Sequence, residues 1–480
     1  MKVLILNPPS KYSSNVARDL FYGCWCKGKR IAGQAFPPLN LMYVAAALNQ
    51  KHNVAILDSQ AEKLNFENTL KKIEKIQPDV IVIPTSSMNI VEDSMNLRKI
   101  KEKVKTVTLA FGSHTTFEPK QSLSYGGIDY AIMREPEYII RDFIDALEKG
   151  KDYEKIKGIA FKKGKKIIIN EPYPFIENLD NLPFPDRKYV SQFVYFSPIV
   201  KKIPWTTALT SRGCPGLCTF CTSVPFYGNR LRFRSAKNVV EEIEEIIRLG
   251  YKEIFYRDET FTANEKRLKE ICNAIIKKNM DISWICNARI GTLNRESIEL
   301  MKKSGCHMIK IGVESGSQKI LDNIKKGIKV EETRKTFKIM NDIGMESHAH
   351  VMLGCPGETW KTVNETIRFV KEVNPSTATF NAFTIFPGTP IYREIKKKFP
   401  GIDATAQDTS KEHSIGFHND LISDLSDKEV GTAVNLAYKK FYFRPSYLAK
   451  TLLRLKSLNE FRRVVSAGFD VLSFSRGDDD

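Results

Sequence analysis

Three of the nine cysteines stand on one short segment, SRGCPGLCTFCTS, where Cys214, Cys218 and Cys221 form a C-x3-C-x2-C pattern. Thiolates are soft ligands that favour iron–sulfur clusters or zinc over hard cations. A structural zinc ion would call for a fourth Cys or His at similarly close range, and none follows. Three thiolates on one loop can hold three irons of a 4Fe-4S cluster, leaving the fourth iron open to a substrate or cofactor. Gly213 and Gly216 let the backbone wrap around such a group without the steric cost of a Cβ.

The elements around this loop set where it sits. It follows the apolar run WTTALT (205–210), and further strands are predicted at EIFYRD (253–258), ISWICN (282–287), HMIKIGV (307–313), SHAHVML (347–353) and TATFNAF (377–383). Helical spacing between them, as in AKNVVEEIEEIIRLG (236–250) and EKRLKEICNAIIKK (265–278), gives six β/α units over 201–395. That is a partial (β/α)6 barrel of the TIM type, whose active residues belong on the loops after the strand C-termini.

Residues 1–150 form a separate alternating series. Strands are predicted at KVLILN (2–7), VAILD (54–58), VIVIP (80–84), TVTLAFG (106–112) and DYAIM (129–133), with helices at 39–50, 66–76 and 91–104. Near-continuous apolar strands separated by helices predict a parallel, doubly wound α/β domain, Rossmann-like or flavodoxin-like. Residues 151–200 read as a connector with a β-hairpin turning near Gly164, then the extended LDNLPFPDR (179–187). Residues 396–480 lose the alternation and predict a mostly helical, basic segment. Its stretch 438–474 carries Arg444, Lys450, Arg454, Lys456, Arg462 and Arg463 among apolar residues at helical spacing. A helix capping the barrel mouth and an interfacial helix on anionic lipid both fit that pattern.

The 480 residues are enough for two to four domains with cores of their own. No apolar run is long enough to span a bilayer, and no signal peptide is apparent, so a cytoplasmic protein is expected, with peripheral membrane contact through 438–474 left open. The net charge of +18 favours acidic partners, but the lysines are spread along the chain and no nucleic-acid motif accompanies them. An odd number of cysteines argues against a disulfide framework. Cys272, Cys286, Cys306 and Cys355 read as core, and Cys24 and Cys26 are too few to hold a second cluster.

The cysteine motif, with Phe220 before its last cysteine and a barrel strand before it, resembles that of the radical S-adenosylmethionine enzymes. The resemblance implies that the open iron chelates S-adenosylmethionine, which is then cleaved to a 5′-deoxyadenosyl radical. It implies S-adenosylmethionine contacts at Phe220, at Glu259 in YRDETFT, at Arg289 in ICNARIG, and at Glu314 and Ser315 in KIGVESGS. VMLGCPGET (351–359) resembles the family's adenine-binding strand end.

NPP (7–9), PPLNLMYVAAAL (37–48), AFGSHTTFEP (110–119), REPE (134–137) and FPGTP (386–390) resemble the subgroup that carries a cobalamin-binding domain, close to class B methyltransferases and anaerobic magnesium-protoporphyrin ester cyclases. Cobalamin contacts are then expected at Pro9, Asp58, Ser86, Ser87, Gly112, Ser113, His114 and Glu135. The D-x-H-x-x-G motif of His-ligated corrinoids is absent, and bulkier FGSH and REPE stand where relatives carry extra glycines.

This resemblance implies C-methylation of an unactivated carbon, in which the radical abstracts hydrogen and methylcobalamin delivers the methyl group. An oxidative cyclase or carbon–carbon bond-forming enzyme of lipid or tetrapyrrole type, without methyl transfer, is the alternative. A non-catalytic iron–sulfur or corrinoid-binding protein is a third reading, opposed by the intact set Glu259, Arg289, Glu314 and Ser315. An electron donor such as flavodoxin or ferredoxin is implied. The substrate, a peptide side chain, a lipid or a small natural product, is open.

Overall fold

The computed structural model describes residues 1–11, 18, 34–402 and 418–454, the last five by backbone alone. Cys24 and Cys26 lie outside the described residues.

The first unit contains β1 (Lys2–Asn7), α1 (Leu39–Leu48), β2 (Asn53–Asp58), α2 (Phe66–Ile76), β3 (Val80–Thr85), α3 (Ile90–Lys101), β4 (Val107–Gly112), α4 (Ser113–Phe117), α5 (Pro119–Ser124), β5 (Tyr130–Ile132) and α6 (Pro136–Glu148). Its parallel strands run in the order β2-β1-β3-β4-β5. β3 is buried along its whole length because helices cover both faces. Leu41, Val44, Ile140 and Phe143 pack on one face, and Ile73, Ile90, Leu97 and Ile100 on the other. Strand order reverses between β1 and β3, so the loops after those two strands diverge and leave a crevice.

The hairpin near Gly164 corrects one expectation. β6 (Ile159–Lys163) and β7 (Lys166–Ile169) do not form a free connector but extend the first sheet. β6 pairs antiparallel with β5, setting Ile159, Ala160 and Phe161 opposite Ile132, Ala131 and Tyr130. Those side chains enter the cores on either face, which is why the hairpin adds to the sheet.

The second unit begins with β8 (Trp205–Ala208), β9 (Ser211–Arg212), α7 (Ser223–Tyr227), β10 (Arg232–Phe233) and α8 (Ala236–Arg248). It continues with β11 (Glu253–Tyr256), α9 (Glu265–Lys277), β12 (Ser283–Ala288), α10 (Arg295–Lys303), β13 (Cys306–Glu314), α11 (Gln318–Asn323) and α12 (Val330–Ile343). β14 (Glu346–Leu353), α13 (Trp360–Val373) and β15 (Thr377–Ala382) complete the series. Six parallel strands, β8-β11-β12-β13-β14-β15, form the open barrel. Ile254, Trp284, Ile309, Ala349 and Phe380 face the outer helices, together with buried Cys272, Cys286, Cys306 and Cys355. On the inner face Trp205, Phe255, Ile285 and Met308 meet Leu39, Met42 and Tyr43 of α1, so the first unit covers the barrel's open side.

After α14 (Pro390–Lys398), α15 (Asp427–Tyr442) leads into α16 (Pro445–Arg454). Of the segment expected as a helical cap, the described part lies along the barrel's flank. The Phe380 ring on the outer face of β15 meets Tyr438 at 5.3 Å and Phe441 at 5.9 Å, because an outward apolar strand face needs cover. Arg444 donates to the Lys371 carbonyl and the Asn374 side chain. The side chains of Lys450 and Arg454, and all of Lys456, Arg462 and Arg463, lie outside the described residues. Among the described residues no helix is long and apolar enough to cross a membrane.

The two units also meet where FPGTP leaves β15. A Cβ on Gly388 would lie 2.3 Å from the Phe117 ring of α4, and the φ of +85° there already favours glycine. Lys396 of α14 pairs with Glu118 at 3.0 Å beside this contact. Gly388→Ala is expected to cost about 2–4 kcal/mol of stability in denaturant unfolding. Gly164→Ala, with nothing within 4 Å, should cost about 1 kcal/mol. Equal effects would remove the close domain contact from the account.

Candidate active site

The cysteine loop is pinned by hydrogen bonds that do not involve its thiols. Thr210 donates to the Asp258 carboxylate through its amide (2.7 Å) and hydroxyl (2.6 Å), and Ser211 through its hydroxyl (2.5 Å). β9 pairs with β10, and the Cys214 amide donates to the Gly228 carbonyl. Further along, the Thr219 amide donates to the Ile324 carbonyl, and the Ile391 amide to the Thr219 carbonyl. Phe220 leans edge-on against Phe383 at 6.1 Å.

The three cysteines are half-buried. The Gly216 amide points at the Cys214 sulfur and the Ser223 amide at the Cys221 sulfur, each at 3.4 Å. Arg289 Nη1 lies 3.8 Å from the Cys218 sulfur. A Cβ on Gly216 would crowd the sulfurs of Cys214 and Cys218 at 3.3 and 3.7 Å. Glycine thus leaves the space between these thiols clear. Burial raises the Cys214 thiol and pushes that of Cys221 up to about 12, so bound metal must supply the positive charge that keeps them ionised. Among the described residues no three His, Cys, Asp or Glu side chains converge on a single-ion site. The donor set fits a multi-iron cluster.

Polar groups surround the thiols. Glu259 accepts from the Ser223 hydroxyl at 2.7 Å, while its other oxygen is buried with no partner. Burial pushes this carboxyl up to about 8. Arg289 also donates to the Lys326 carbonyl. Lys326 pairs with Glu314 at 2.6 Å, and both side chains are buried. Glu259, Arg289 and Glu314 therefore gather beside the cysteines at the strand ends. Ser315 does not join them. Its hydroxyl meets Thr366 at 2.9 Å and accepts from the Ser317 amide, which holds α13 against the end of β13. Lys326 carried no sequence signal, because it stands in the lysine run NIKKGIK.

Pro9 follows β1, Ser86 and Ser87 follow β3, and Gly112 ends β4 with Ser113 and His114 just beyond it, so these residues share the crevice rim of the first sheet. The Ser86 hydroxyl donates to Asn89, and Ser87 meets His114 Nδ1 at 3.0 Å. This hydroxyl-bearing rim fits the polar edge of a corrin ring.

Asp58 and Glu135, expected as cofactor contacts, each bind several protein groups. Asp58 accepts from Asn7 (2.7 Å), the Ala61 amide (3.1 Å) and the Tyr195 hydroxyl (3.1 Å). Glu135 accepts from Arg212 and Arg232 at 2.9 Å each and from the Ile176 amide. Arg212 also binds Glu137, at 2.5 and 3.2 Å. Buried carboxylates require donors, and the linker and the second unit supply Tyr195 to Asp58 and Ile176, Arg212 and Arg232 to Glu135. The REPE motif thus reaches a residue just ahead of Cys214. Its two carboxylates were visible in the sequence, but their arginine partners were not.

Comparison with known proteins agrees with this arrangement. Residues 209–370 match the family model of the radical SAM superfamily, and residues 30–144 that of the B12 binding domain. An uncharacterized methyltransferase of Pyrococcus horikoshii is 30% identical over 466 residues, spanning 94% of this chain and 95% of the relative. The chain belongs to the radical S-adenosylmethionine superfamily. It is a radical S-adenosylmethionine enzyme with a B12-binding domain, and its two family domains take a 4Fe-4S cluster with S-adenosylmethionine, and cobalamin.

An anaerobic magnesium-protoporphyrin IX monomethyl ester cyclase of Rubrivivax gelatinosus is 27% identical, covering 78% of this chain and 69% of the relative. The radical S-adenosylmethionine methyltransferase TsrM of Kitasatospora setae, solved with cobalamin and a 4Fe-4S cluster bound, shares the fold. Its TM-score is 0.67 at 17% identity, over 84% of this chain and 75% of that one.

Arg212→Met would leave two buried carboxylates without their shared partner. A loss of about 3–5 kcal/mol is expected in denaturant unfolding, partly recovered in the double variant with Glu137→Gln. Wild-type stability in the single variant would mean that this ion pair does not hold the units together.

Proposed function

We propose that this enzyme methylates an unactivated carbon, with cobalamin as methyl carrier. The observation that carries the reading is the Glu135–Arg212–Glu137 bridge, which fixes the crevice rim of the first unit relative to the cysteine loop of the second. When bound, the cluster with S-adenosylmethionine supplies a 5′-deoxyadenosyl radical for hydrogen abstraction, and the corrinoid supplies the methyl group.

In this reading residues 1–169 carry the corrinoid and the barrel through β15 carries the radical chemistry. Cys214, Cys218 and Cys221 hold the cluster. Arg289 takes the methionyl carboxylate through a charge-assisted pair, and the unpartnered oxygen of Glu259 accepts from the methionyl ammonium. Lys326 sets the carboxylate of Glu314, leaving that side chain preoriented for the cofactor's polar groups, while Phe220 packs behind the loop. Ser315 acts by holding the backbone after β13. Pro9, Ser86, Ser87, Gly112, Ser113 and His114 line the corrinoid rim. Asp58 and Glu135 position that rim and do not contact the corrin. A flavodoxin or ferredoxin type of donor delivers the electron.

Methyl transfer is favoured over oxidative cyclisation by coverage. The methyltransferase relative aligns over 95% of its own length, the cyclase over 69%. The test is cobalamin retained per chain after anaerobic reconstitution with iron, sulfide and hydroxocobalamin. About one cobalamin per chain is expected, together with loss of cluster absorbance and of 5′-deoxyadenosine formation in Cys218→Ser. Cobalamin near zero with the cluster intact would overturn methyl transfer and favour the cyclase reading.

A further inference from the structure

The described part of the C-terminal segment does more than cover the flank of β15. β14 and β15 stop at Leu353 and Ala382, and the Phe383 amide carries their ladder one step further, donating to the Leu353 carbonyl at 2.7 Å. The next two carbonyls are met by a side chain. Asn419, fully buried, donates through Nδ2 to the Gly354 carbonyl at 2.8 Å and the Phe383 carbonyl at 2.9 Å. One amide group thus serves both strand ends where the sheet runs out. The fit is close. A Cβ on Gly354 would lie 2.7 Å from Asn419 Nδ2 and 2.8 Å from Val430 of α15, and its φ of +81° already favours glycine.

Asn419 is itself held from behind. Asp427, the first residue of α15, accepts from the amides of His418 (3.1 Å) and Asn419 (2.8 Å). The same turn ties the loop after β14. There the Gly357 amide donates to the Ile422 carbonyl at 2.7 Å, and the Asp424 amide to the Glu358 carbonyl at 3.0 Å. Within that loop Glu358 accepts from the Gly354 and Cys355 amides at 2.7 and 3.0 Å. Two routes lead from this clamp to the cysteine loop. The Phe383 ring meets Phe220, the residue before Cys221. Asn323 donates to the Pro356 carbonyl at 2.8 Å, and the carbonyl of its neighbour Ile324 accepts from the Thr219 amide at 3.0 Å. Both routes end on Thr219 and Phe220, between Cys218 and Cys221.

We propose that Asn419 is a positioning residue of the radical site: it fixes the ends of β14 and β15 and, through them, the loop that carries Cys218 and Cys221. Asn419 lies beyond both matched family regions, 30–144 and 209–370, so neither assigns it a part. The inference rests on the cysteine loop holding the cluster and does not depend on methyl transfer. A leucine at 419 would fill similar space but leave the buried carbonyls of Gly354 and Phe383 without this donor, a loss that burial makes costly. The two strand ends would then part, and the Phe383 and Asn323 contacts that aim the cysteine loop would shift with them.

The test compares reconstituted wild type with Asn419→Leu and with the milder Asp427→Ala, which loosens the turn from outside the sheet. Trp360→Phe is the control, because it removes the 3.0 Å bond from Trp360 of α13 to Glu429 of α15 without touching the strand ends. S-adenosylmethionine is titrated into each reduced enzyme while the electron paramagnetic resonance spectrum of the cluster is followed. The half-saturating concentration is expected to rise about tenfold in Asn419→Leu, to rise less in Asp427→Ala, and to keep its wild-type value in Trp360→Phe. Hydrogen exchange at 218–221 is expected to follow the same order. Wild-type values of both in Asn419→Leu, or an equal shift in Trp360→Phe, overturn the proposal. If melting curves show that Asn419→Leu does not fold, Asp427→Ala decides, and no shift there overturns it. Iron and sulfide content, measured on the same samples, tests the cluster assignment separately: a wild type that holds no cluster overturns that assignment and the proposal with it.

Discussion

Arg212 is the residue on which the two units of this enzyme converge. Its guanidinium lies between Glu135 and Glu137 at the start of α6, and Cys214 follows two positions later. Such a pair is costly to desolvate and costlier to break, so it fixes geometry more than it adds stability. A radical enzyme with a second cofactor needs its reactive centres at a set separation, because misplacement of about 1 Å can cost roughly a hundredfold in rate. Placing the bridge directly before the first cysteine shortens the chain of parts through which error could accumulate. Arg232, paired with Glu135 from the neighbouring β10, gives the bridge a second anchor.

Much of the architecture was legible from hydrophobic period alone. KVLILN and FENTLKKIEKI match β1 and α2 residue for residue, since a buried parallel strand and an amphipathic helix announce themselves locally. The cysteine loop was equally plain, because its ligands are adjacent in sequence. What escaped depended on distant partners. Asp58 and Glu135 look the same in sequence whether they face a cofactor or a buried tyrosine and arginine. The hairpin at Gly164 was visible, but nothing local said that β5 would lack a neighbour and accept it antiparallel. The outward face of β15 likewise decided where α15 would lie.

The barrel interior departs from ordinary practice for its fold. Such interiors are usually filled with branched apolar residues in layers. Here the lower layer follows that rule, while the next two are built from Lys, His, Asn, Thr and Gly. Buried Lys310, pushed down to about 7 by burial and Arg257, is a stability liability that an apolar residue would avoid.

The tethers of the cysteine loop carry a different consequence. Asp258 gathers Thr210 and Ser211, the Ile324 carbonyl receives the Thr219 amide, and Ile391 fastens to the Thr219 carbonyl. None of these bonds passes through a metal ligand's sulfur. The shape of the loop is therefore supported by the polypeptide around it. Each cysteine of the loop is thus held by bonds that do not depend on its own sulfur, so replacing one thiol would remove a ligand without releasing the backbone that carries it.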